Sequence, residues 1–270
     1  MADPSIKIMG ILNVTPDSFS DGGRFSDLPA AITQAEMLIG EGADILDVGG
    51  ESTRPFANPV SPEEELRRVI PVIQAVREKY TIPISIDTSK AEVAREAVKA
   101  GADIINDVTA LRKDPEMLTV VKETDVPVII MHMQGTPADM QVEPVYNDVV
   151  SDIIDFFTEH IDWMTKNGVQ RDRLIVDPGI GFGKTLQHNL LILKQLARFA
   201  SLDLPLLLGH SRKRFLGTIT GITTEADRDL PTAIVTALCA SANVAIVRVH
   251  NVAATRQALL IADAMQSAVQ

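Results

Sequence analysis

Short apolar runs recur along the chain, and each is continuous rather than an alternation of apolar and polar residues. IKIMGILN at 6–13 and IPISIDT at 82–88 are examples, and both are rich in β-branched residues. Strands that are buried on both faces of a sheet have this pattern. We therefore predict eight buried strands, at 6–13, 43–50, 82–88, 102–108, 126–133, 173–179, 204–211 and 244–251.

Helical segments lie between these runs. Residues 61–80 begin with SPEEE, in which Ser61 supplies an N-cap, Pro62 the first helical residue and the acids a favourable first turn. Glycines precede two of the strands, in EGADILDV and KAGADIIND, where a left-handed helix cap is needed. The other predicted helices are 28–41, 90–100, 114–124, 146–167, 186–200, 226–242 and 252–268.

Eight strand–helix units over roughly 250 residues favour an α/β fold that is a single (β/α)8 barrel of the TIM type. A doubly wound open sheet is the alternative, but the even spacing of the units favours closure. No linker, repeat array or low-complexity segment interrupts the pattern, so we expect one domain over residues 1–270. Long loops are expected after the first two strands, because NVTPDSFSDGG at 13–23 is longer than an ordinary short connection.

Composition narrows the class of protein. The net charge of −11 argues against nucleic-acid binding, which needs clustered positive charge. Cys239 is the only cysteine, so an internal disulfide and a multi-cysteine zinc site are excluded, and a reducing cytoplasm is indicated. The sequence MADPSIK does not resemble a signal peptide, and no apolar run approaches the roughly 18 residues of a membrane span. We expect a cytoplasmic protein without a membrane or nucleic-acid partner.

Polar residues follow most of the predicted strands, at the end where barrel enzymes hold their active sites. Each of them alone fits a helix cap or a turn. The set is harder to explain in that way, because Arg248, Asp87 and Asp177 interrupt or close apolar strands, where unpaired charge is costly. Charged residues of both signs at the strand ends, which form the rim of the barrel, require either a polar ligand or ion pairs with one another, and we favour the ligand. The candidates at the strand ends are Asn13, Glu51, Thr53, Arg54, Asp87, Asn106, Asp107, Met131, Asp177, Ser211, Lys213, Arg248 and His250.

Two patterns do not carry the chemistry that they suggest. PGIGFGKT at 178–185 resembles a phosphate-binding loop, but Pro178 stands where that motif needs its first glycine. We expect its glycines to bring Phe182 close to the barrel mouth. The five histidines have no metal-ligand spacing, so a histidine-bound transition metal is not expected. His160 and His188 fall on predicted helices and are expected at the surface.

Several motifs together resemble the dihydropteroate synthases. They run in order from residue 8 to about residue 255, and they are GILNVTPDSFSDGG, DVGGESTRP, SIDTSK, NDV, MHMQGTP, DPGIGFGKT, SRK and RVHNV. The corrinoid methyltransferases that use methyltetrahydrofolate share part of the Asp/Asn/Asp pattern but lack the TPDSFSDGG loop. One departure is Phe56, where the family usually has glycine after STRP, and it concerns the shape of the second loop.

The resemblance implies a step of folate biosynthesis. The enzyme would join (7,8-dihydropterin-6-yl)methyl diphosphate to 4-aminobenzoate, releasing diphosphate and 7,8-dihydropteroate, and it would be a target of sulfonamides. It also implies a Mg²⁺ cofactor and a homodimer, for which the helices at 226–242 and 252–268 are our candidate interface. A corrinoid-linked methyltransferase and a pterin-binding protein without catalysis are the alternative functions.

The resemblance assigns roles that agree with the chemistry of the side chains. Carboxylates would accept hydrogen bonds from the pterin N–H groups, and a cation would face its carbonyl oxygen. The pterin residues are Asp87, Asn106, Met131, Asp177, Phe182 and Lys213. The diphosphate residues are Asn13, Thr53, Arg54, Arg248 and His250, with Asn13 also the Mg²⁺ ligand. The 4-aminobenzoate pocket and its lid comprise Phe19, Asp21, Arg54, Pro55, Ser211 and Lys213.

Overall fold

The computed structural model describes residues 6–15, 27–52, 59–135 and 144–268. Eight parallel strands pair in sequence order, and the last pairs with the first, so the sheet is a closed barrel. The barrel prediction is confirmed and the open sheet is excluded. The strands are β1 (Lys7–Asn13), β2 (Ile45–Gly49), β3 (Ile84–Asp87), β4 (Ile104–Asp107), β5 (Val128–Met131), β6 (Leu174–Asp177), β7 (Leu206–Leu208) and β8 (Val244–Val249).

Helices follow the strands around the outside of the barrel. They are α1 (Asp27–Gly40), α2 (Pro62–Lys79), α3 (Ala91–Ala100), α4 (Met117–Thr124), α5 (Val149–Lys166), α6 (Leu186–Lys194), α7 (Arg214–Thr220), α8 (Asp229–Cys239) and α9 (Val252–Gln266). In the described part of the chain, no helix is long and apolar enough to cross a membrane.

Local signals in the sequence explain several helix ends. Ser61 caps α2 by accepting a hydrogen bond from the backbone N–H of Glu64 at 3.3 Å, and Pro62 is the first helical residue, as predicted. Gly101 ends α3 with a φ of 117°, a backbone conformation that favours glycine. The first turn of α2 also carries three acids, which complement the helix dipole.

Two predicted helices were wrong in detail, and one helix was not predicted. The helix at 186–200 ends at Lys194, and residues Leu196–Leu202 form a separate 3₁₀ helix. The helix at 226–242 is divided into a 3₁₀ turn, Ala226–Arg228, and α8. Helix α7 was missed because it has only seven residues and contains Gly217, so its apolar pattern is too short to recognise.

The core has two parts. A large apolar layer lies between the barrel and the helices, and it includes the fully buried Phe157 and Phe199. A second, smaller cluster fills the barrel itself, and we call it the barrel plug: Met9, Ile45, Ile104, Ile129, Ile175, Leu207 and Ile246. Each such buried side chain contributes about 1.5–3 kcal/mol. The plug closes the interior of the barrel below the strand ends.

Candidate active site

The polar side chains lie one layer above the barrel plug. Alternate residues of a strand point to the same face, so the residue two positions beyond a plug residue also points into the barrel. Asp47 lies two residues after Ile45, and Arg248 lies two residues after Ile246. Asn106, Met131 and Asp177 follow Ile104, Ile129 and Ile175 in the same way. The barrel therefore brings residues from five strands to one mouth.

Arg248 joins two acids at this mouth. Its Nε donates a hydrogen bond to Asp47 Oδ2 at 2.6 Å, and its Nη2 donates to Asp87 Oδ2 at 2.7 Å. The amide of Asn106 donates to Asp47 Oδ1 at 3.3 Å. The preference for a ligand over mutual pairing was wrong for this part of the rim, because the structure pairs the arginine with both carboxylates.

The two acids paired with Arg248 differ in what their oxygens contact. Asp47 is completely buried, and both of its oxygens accept hydrogen bonds. The Oδ1 atom of Asp87 is also buried, yet it has no hydrogen-bond partner within the described residues. Burial raises the pKa of Asp87 to about 7, although the charge of Arg248 opposes this shift. Asp87 thus offers an acceptor to an incoming N–H donor.

A second acid and a lysine face the mouth from the next strands. Asp177 Oδ1 accepts a hydrogen bond from the backbone N–H of Gly179 at 2.8 Å, and burial raises the pKa of this carboxyl. The Lys213 Nζ lies 3.9 Å from the centre of the Phe182 ring, a cation–π distance. Burial lowers the pKa of Lys213 to about 8, and the charge of Arg248 acts in the same direction.

One side of the mouth is apolar. Met131, Met133 and Phe182 form a small buried cluster, with Val108 packed against it. Thioether and aromatic side chains of this kind suit the face of a flat ring. The wall and the acids beside it together define a slot for a flat, polar heterocycle.

The loops after β7 and β8 are tied together beside the lysine. Ser211 Oγ lies 2.9 Å from His250 Nδ1 and accepts a hydrogen bond from the His250 backbone N–H at 3.1 Å. Asn251 caps α9 by accepting from the backbone N–H of Ala254 at 2.9 Å. The start of α9 therefore opens beside His250, and a helix N-terminus favours anions.

The structure brings ten of the predicted site residues to this end of the barrel: Asn13, Asp87, Asn106, Met131, Asp177, Phe182, Ser211, Lys213, Arg248 and His250. Phe19, Asp21, Thr53, Arg54 and Pro55 lie outside the described residues, as does Phe56, so their roles stay predictions.

Other expectations from the sequence need correction. Asp107 does not face the mouth, because its carboxylate accepts from the backbone N–H groups of Thr109 and Leu111, both at 2.8 Å, as a turn residue does. Glu51 is paired with Lys90. His160 is half-buried, and its Nε2 lies 2.7 Å from the Ala110 carbonyl oxygen, so it is not a free surface residue. His188 is also half-buried, and it caps α6.

Sequence reasoning missed two residues that complete the site. Asp47 is a charged residue within an apolar strand, and this is the signal that identified Arg248. Lys184 belongs to a glycine-rich loop, where a lysine is expected to be exposed, yet only 3% of it is accessible. No local signal in the sequence indicates that burial.

Comparison with known proteins agrees with this geometry. Residues 9–250 match the family model described as pterin binding enzyme. The dihydropteroate synthase of Synechocystis sp. is 46% identical over 258 residues, which cover 96% of this chain and 89% of that protein.

Two solved structures of the Xanthomonas albilineans dihydropteroate synthase are also similar. The one with 4-aminobenzoic acid has a TM-score of 0.92 and 46% identity, covering 98% of this chain and 94% of that chain. The one in complex with 7,8-dihydropteroate has a TM-score of 0.89 and 43% identity, covering 98% of this chain and 95% of that chain.

A closed (β/α)8 barrel with acids, an amide and cations around an apolar slot defines a pterin-binding enzyme. Within that class, the chain belongs to the dihydropteroate synthase family.

Proposed function

We propose that this enzyme condenses (7,8-dihydropterin-6-yl)methyl diphosphate with 4-aminobenzoate to give 7,8-dihydropteroate and diphosphate, a step of folate biosynthesis. The observation that carries the proposal is the slot itself, in which buried acceptors face an apolar wall and a lysine. The related structures with 4-aminobenzoic acid and with 7,8-dihydropteroate support the choice of substrates.

The pterin ring fits the slot by its hydrogen-bonding pattern. Its N–H groups would donate to the carboxylates of Asp177 and Asp87, and Asn106 offers both an acceptor and a donor. Lys213 would face the carbonyl oxygen, while Phe182 supports the flat face of the ring. A buried acceptor without a partner, such as Asp87 Oδ1, favours a ligand that supplies one.

The reaction is a substitution at the exocyclic CH₂ group. The C–O bond to diphosphate breaks, and its electron pair leaves with the diphosphate. The pterin ring stabilises the resulting cation. The aniline nitrogen of 4-aminobenzoate then forms the new C–N bond and loses a proton. No protein nucleophile is needed. The carboxylates of Asp87 and Asp177 would stabilise the developing positive charge electrostatically.

N–H donors and positive charge at the mouth would hold the departing diphosphate. We assign this role to His250, the start of α9, and Arg248, which uses two of its five N–H donors on Asp47 and Asp87. The predicted contributions of Thr53 and Arg54 belong to the same proposal. We assign Ser211 to the 4-aminobenzoate carboxylate, because it contacts His250 and stands two residues before Lys213 in the loop after β7.

Oxygen ligands at the mouth fit Mg²⁺. A Cβ atom on Gly49 would lie 3.7 Å from Asn13 Oδ1 and 3.8 Å from Asp87 Oδ2, so both oxygens border the open space left by this glycine. In the described residues no group of three or more acidic, histidine or cysteine side chains could hold a metal. A single amide oxygen completed by substrate oxygens and waters is a coordination that Mg²⁺ accepts. When bound, the ion would neutralise charge on the leaving diphosphate.

The surface of α6, α7 and α8 supports a homodimer. These helices form an apolar groove of about 620 Å³. Leu238 is 75% exposed and Ile219 56% exposed within it, whereas contiguous apolar patches on monomers are usually small. We propose this face as the dimer interface, which shares α8 with the interface predicted from the sequence. Leu238→Asp should give a monomer in sedimentation experiments, and Val145→Asp is the matched control, because Val145 is 74% exposed and lies outside both predicted interface helices. A dimeric Leu238→Asp enzyme would contradict this interface.

A diphosphate-release assay tests the function. The purified enzyme is given the pterin diphosphate, 4-aminobenzoate and Mg²⁺, and release sustained over many turnovers should require all three. A sulfonamide should compete with 4-aminobenzoate. Methyl transfer to a corrinoid protein, or pterin binding without release, would replace the proposal with one of the two alternatives. A cytoplasmic location remains part of the proposal, supported by the buried free thiol of Cys239.

A further inference from the structure

Lys184 is buried behind the mouth without an ion pair to any described carboxylate. Its Nζ lies 2.9 Å from the Phe182 carbonyl oxygen, 3.3 Å from the His132 carbonyl oxygen and 3.1 Å from His132 Nδ1. An ammonium group has three N–H donors, and these three atoms are acceptors. When Lys184 is protonated, His132 Nδ1 is the acceptor and the ring carries its proton on Nε2. Burial lowers the pKa of His132 to about 2, which keeps the ring neutral.

The three hydrogen bonds join two loops. His132 follows β5 and stands between Met131 and Met133, while Phe182 belongs to the loop after β6. The loops lie in close contact: a Cβ on Gly179 would overlap the His132 carbonyl oxygen, and one on Gly183 would lie 2.5 Å from the Gln134 carbonyl oxygen. All three residues of the apolar wall come from β5 or from these two loops. Lys184 thus connects the two halves of the wall.

A buried ammonium is expensive, and an apolar side chain of the same length would avoid that cost. Its presence needs a reason, and the contacts provide one. The hydrogen bond to the Phe182 carbonyl oxygen fixes the main chain of Phe182, whose ring lies 3.9 Å below Lys213 Nζ. The position of Lys184 therefore determines where the ring and the Lys213 cation stand.

We propose that Lys184 is a positioning residue of the dihydropterin slot: its ammonium group holds the β5 and β6 loops together and so sets Phe182 and Lys213 against the bound ring. The proposal rests on the proposed function, since it assigns a role within that slot. Lys184 itself does not contact the substrate.

The protonation of Lys184 supports this role. Burial lowers the pKa of Lys184 to about 7, with the charge of Asp177 opposing the shift. A neutral amine has two N–H donors, so one of its three acceptors loses its hydrogen bond as the pH rises. The groups that contact Lys184 or interact with its charge are His132, Asp177, Lys213 and His188. Tyr146 and Arg112 lie beside His132. Lys213 also loses its charge near pH 8, so variants must separate the two effects.

The test compares Lys184→Met and Lys184→Arg with Lys166→Met, which removes an exposed lysine at the end of α5. Binding of 7,8-dihydropterin is measured by calorimetry, and KM is measured for each substrate. We expect Lys184→Met to weaken dihydropterin binding about tenfold. The KM for the pterin diphosphate should rise more than the KM for 4-aminobenzoate, because of the groups that Lys184 positions only Lys213 also belongs to the predicted 4-aminobenzoate pocket. General loss of folding would not produce this split. Unchanged dihydropterin binding in a folded Lys184→Met enzyme would overturn the proposal.

Lys184→Arg keeps its charge at every accessible pH. The part of the pH dependence of dihydropterin binding that comes from Lys184 should therefore be absent in this variant. A pH profile of dihydropterin binding like that of the native enzyme would also overturn the proposal. If neither variant folds, hydrogen exchange on the native enzyme decides. Peptides covering 129–135 and 178–185 should lose protection together between about pH 6 and pH 9, beyond the intrinsic change in exchange rate. Unchanged protection would contradict the proposal.

Diphosphate release by Lys166→Met and the native enzyme separates this inference from the proposed function. If both fail to release diphosphate, the proposed function is wrong. If both release it and Lys184→Met binds dihydropterin normally, only the role of Lys184 is wrong.

Discussion

Two layers of the same barrel differ in how their side chains are held. In the barrel plug, Ile45, Ile175 and Ile246 contact other apolar side chains in a non-directional way. Two residues further along the strands, Asp47, Asp177 and Arg248 each need a particular partner. Apolar side chains of similar total volume can replace one another in the plug, whereas at the mouth the identity of each side chain matters. Residues that stabilise the barrel and residues that recognise the ligand are therefore about 7 Å apart along a strand.

Arg248→Met should have the largest effect. It leaves Asp47 and Asp87 buried without their cation, which costs about 3–5 kcal/mol when one partner of a buried pair is removed. Chemical denaturation gives the free energy of unfolding. Arg95→Met is the control, because its pair with Glu123 is exposed and is worth about 0–1 kcal/mol. Equal losses for the two variants would show that the charges at the mouth are not coupled.

Ile129→Ala should be next. Ile129 is fully buried in the plug, so its truncation costs about 2–5 kcal/mol of stability through lost burial and the cavity left behind. We expect dihydropterin affinity, measured by calorimetry on the folded enzyme, to remain nearly native. A large loss of affinity would show that the plug and the mouth are not separable.

Unlike Ile129→Ala, Asp177→Ala should lower the affinity for dihydropterin. Removing the acceptor should weaken dihydropterin binding about tenfold or more, since an unpaired buried polar group costs about 1–3 kcal/mol. Stability should fall by about 1–3 kcal/mol, because the Gly179 N–H loses its acceptor, and by no more, because burial already disfavours the charged form of this carboxyl. Native affinity in calorimetry would remove Asp177 from the slot.

Asp87→Asn should have the smallest effect at about pH 4, where the Asp87 carboxyl is protonated in the folded protein, and its main effect is on the pH dependence of stability. The pKa of Asp87 is raised to about 7 in the folded protein, so the folded state binds more protons than the unfolded state between about pH 4 and pH 7. The contribution of Asp87 to stability therefore falls as the pH rises through this range, and Asp87→Asn should remove that fall. Buried His210 acts in the opposite direction, with a pKa lowered to about 4 by burial, but it is present in both proteins and cancels in the difference. Parallel curves would show that Asp87 does not titrate there.

The sequence predicted the barrel well because continuous apolar runs have few alternative structures. Residues such as Asp177 and Arg248 were found because a charge in an apolar strand is conspicuous. One of the two partners of Arg248, Asp47, was not found, because it lies 201 residues away and only the closure of the barrel brings the two together. The burial of Lys184 was missed for a similar reason, since it depends on how two loops pack. Helix α7 was missed because of its short length.

The close approach at Gly179 and Gly183 limits how the enzyme can vary. Both glycines have positive φ values, 70° and 62°, and neither has room for a side chain beside the loop after β5. Alanine at either position would push the two loops apart. Substitutions that change ligand preference, including those that give resistance to inhibitors, must then lie elsewhere around the rim. A saturation mutagenesis screen should find glycine retained at almost every occurrence of these two positions.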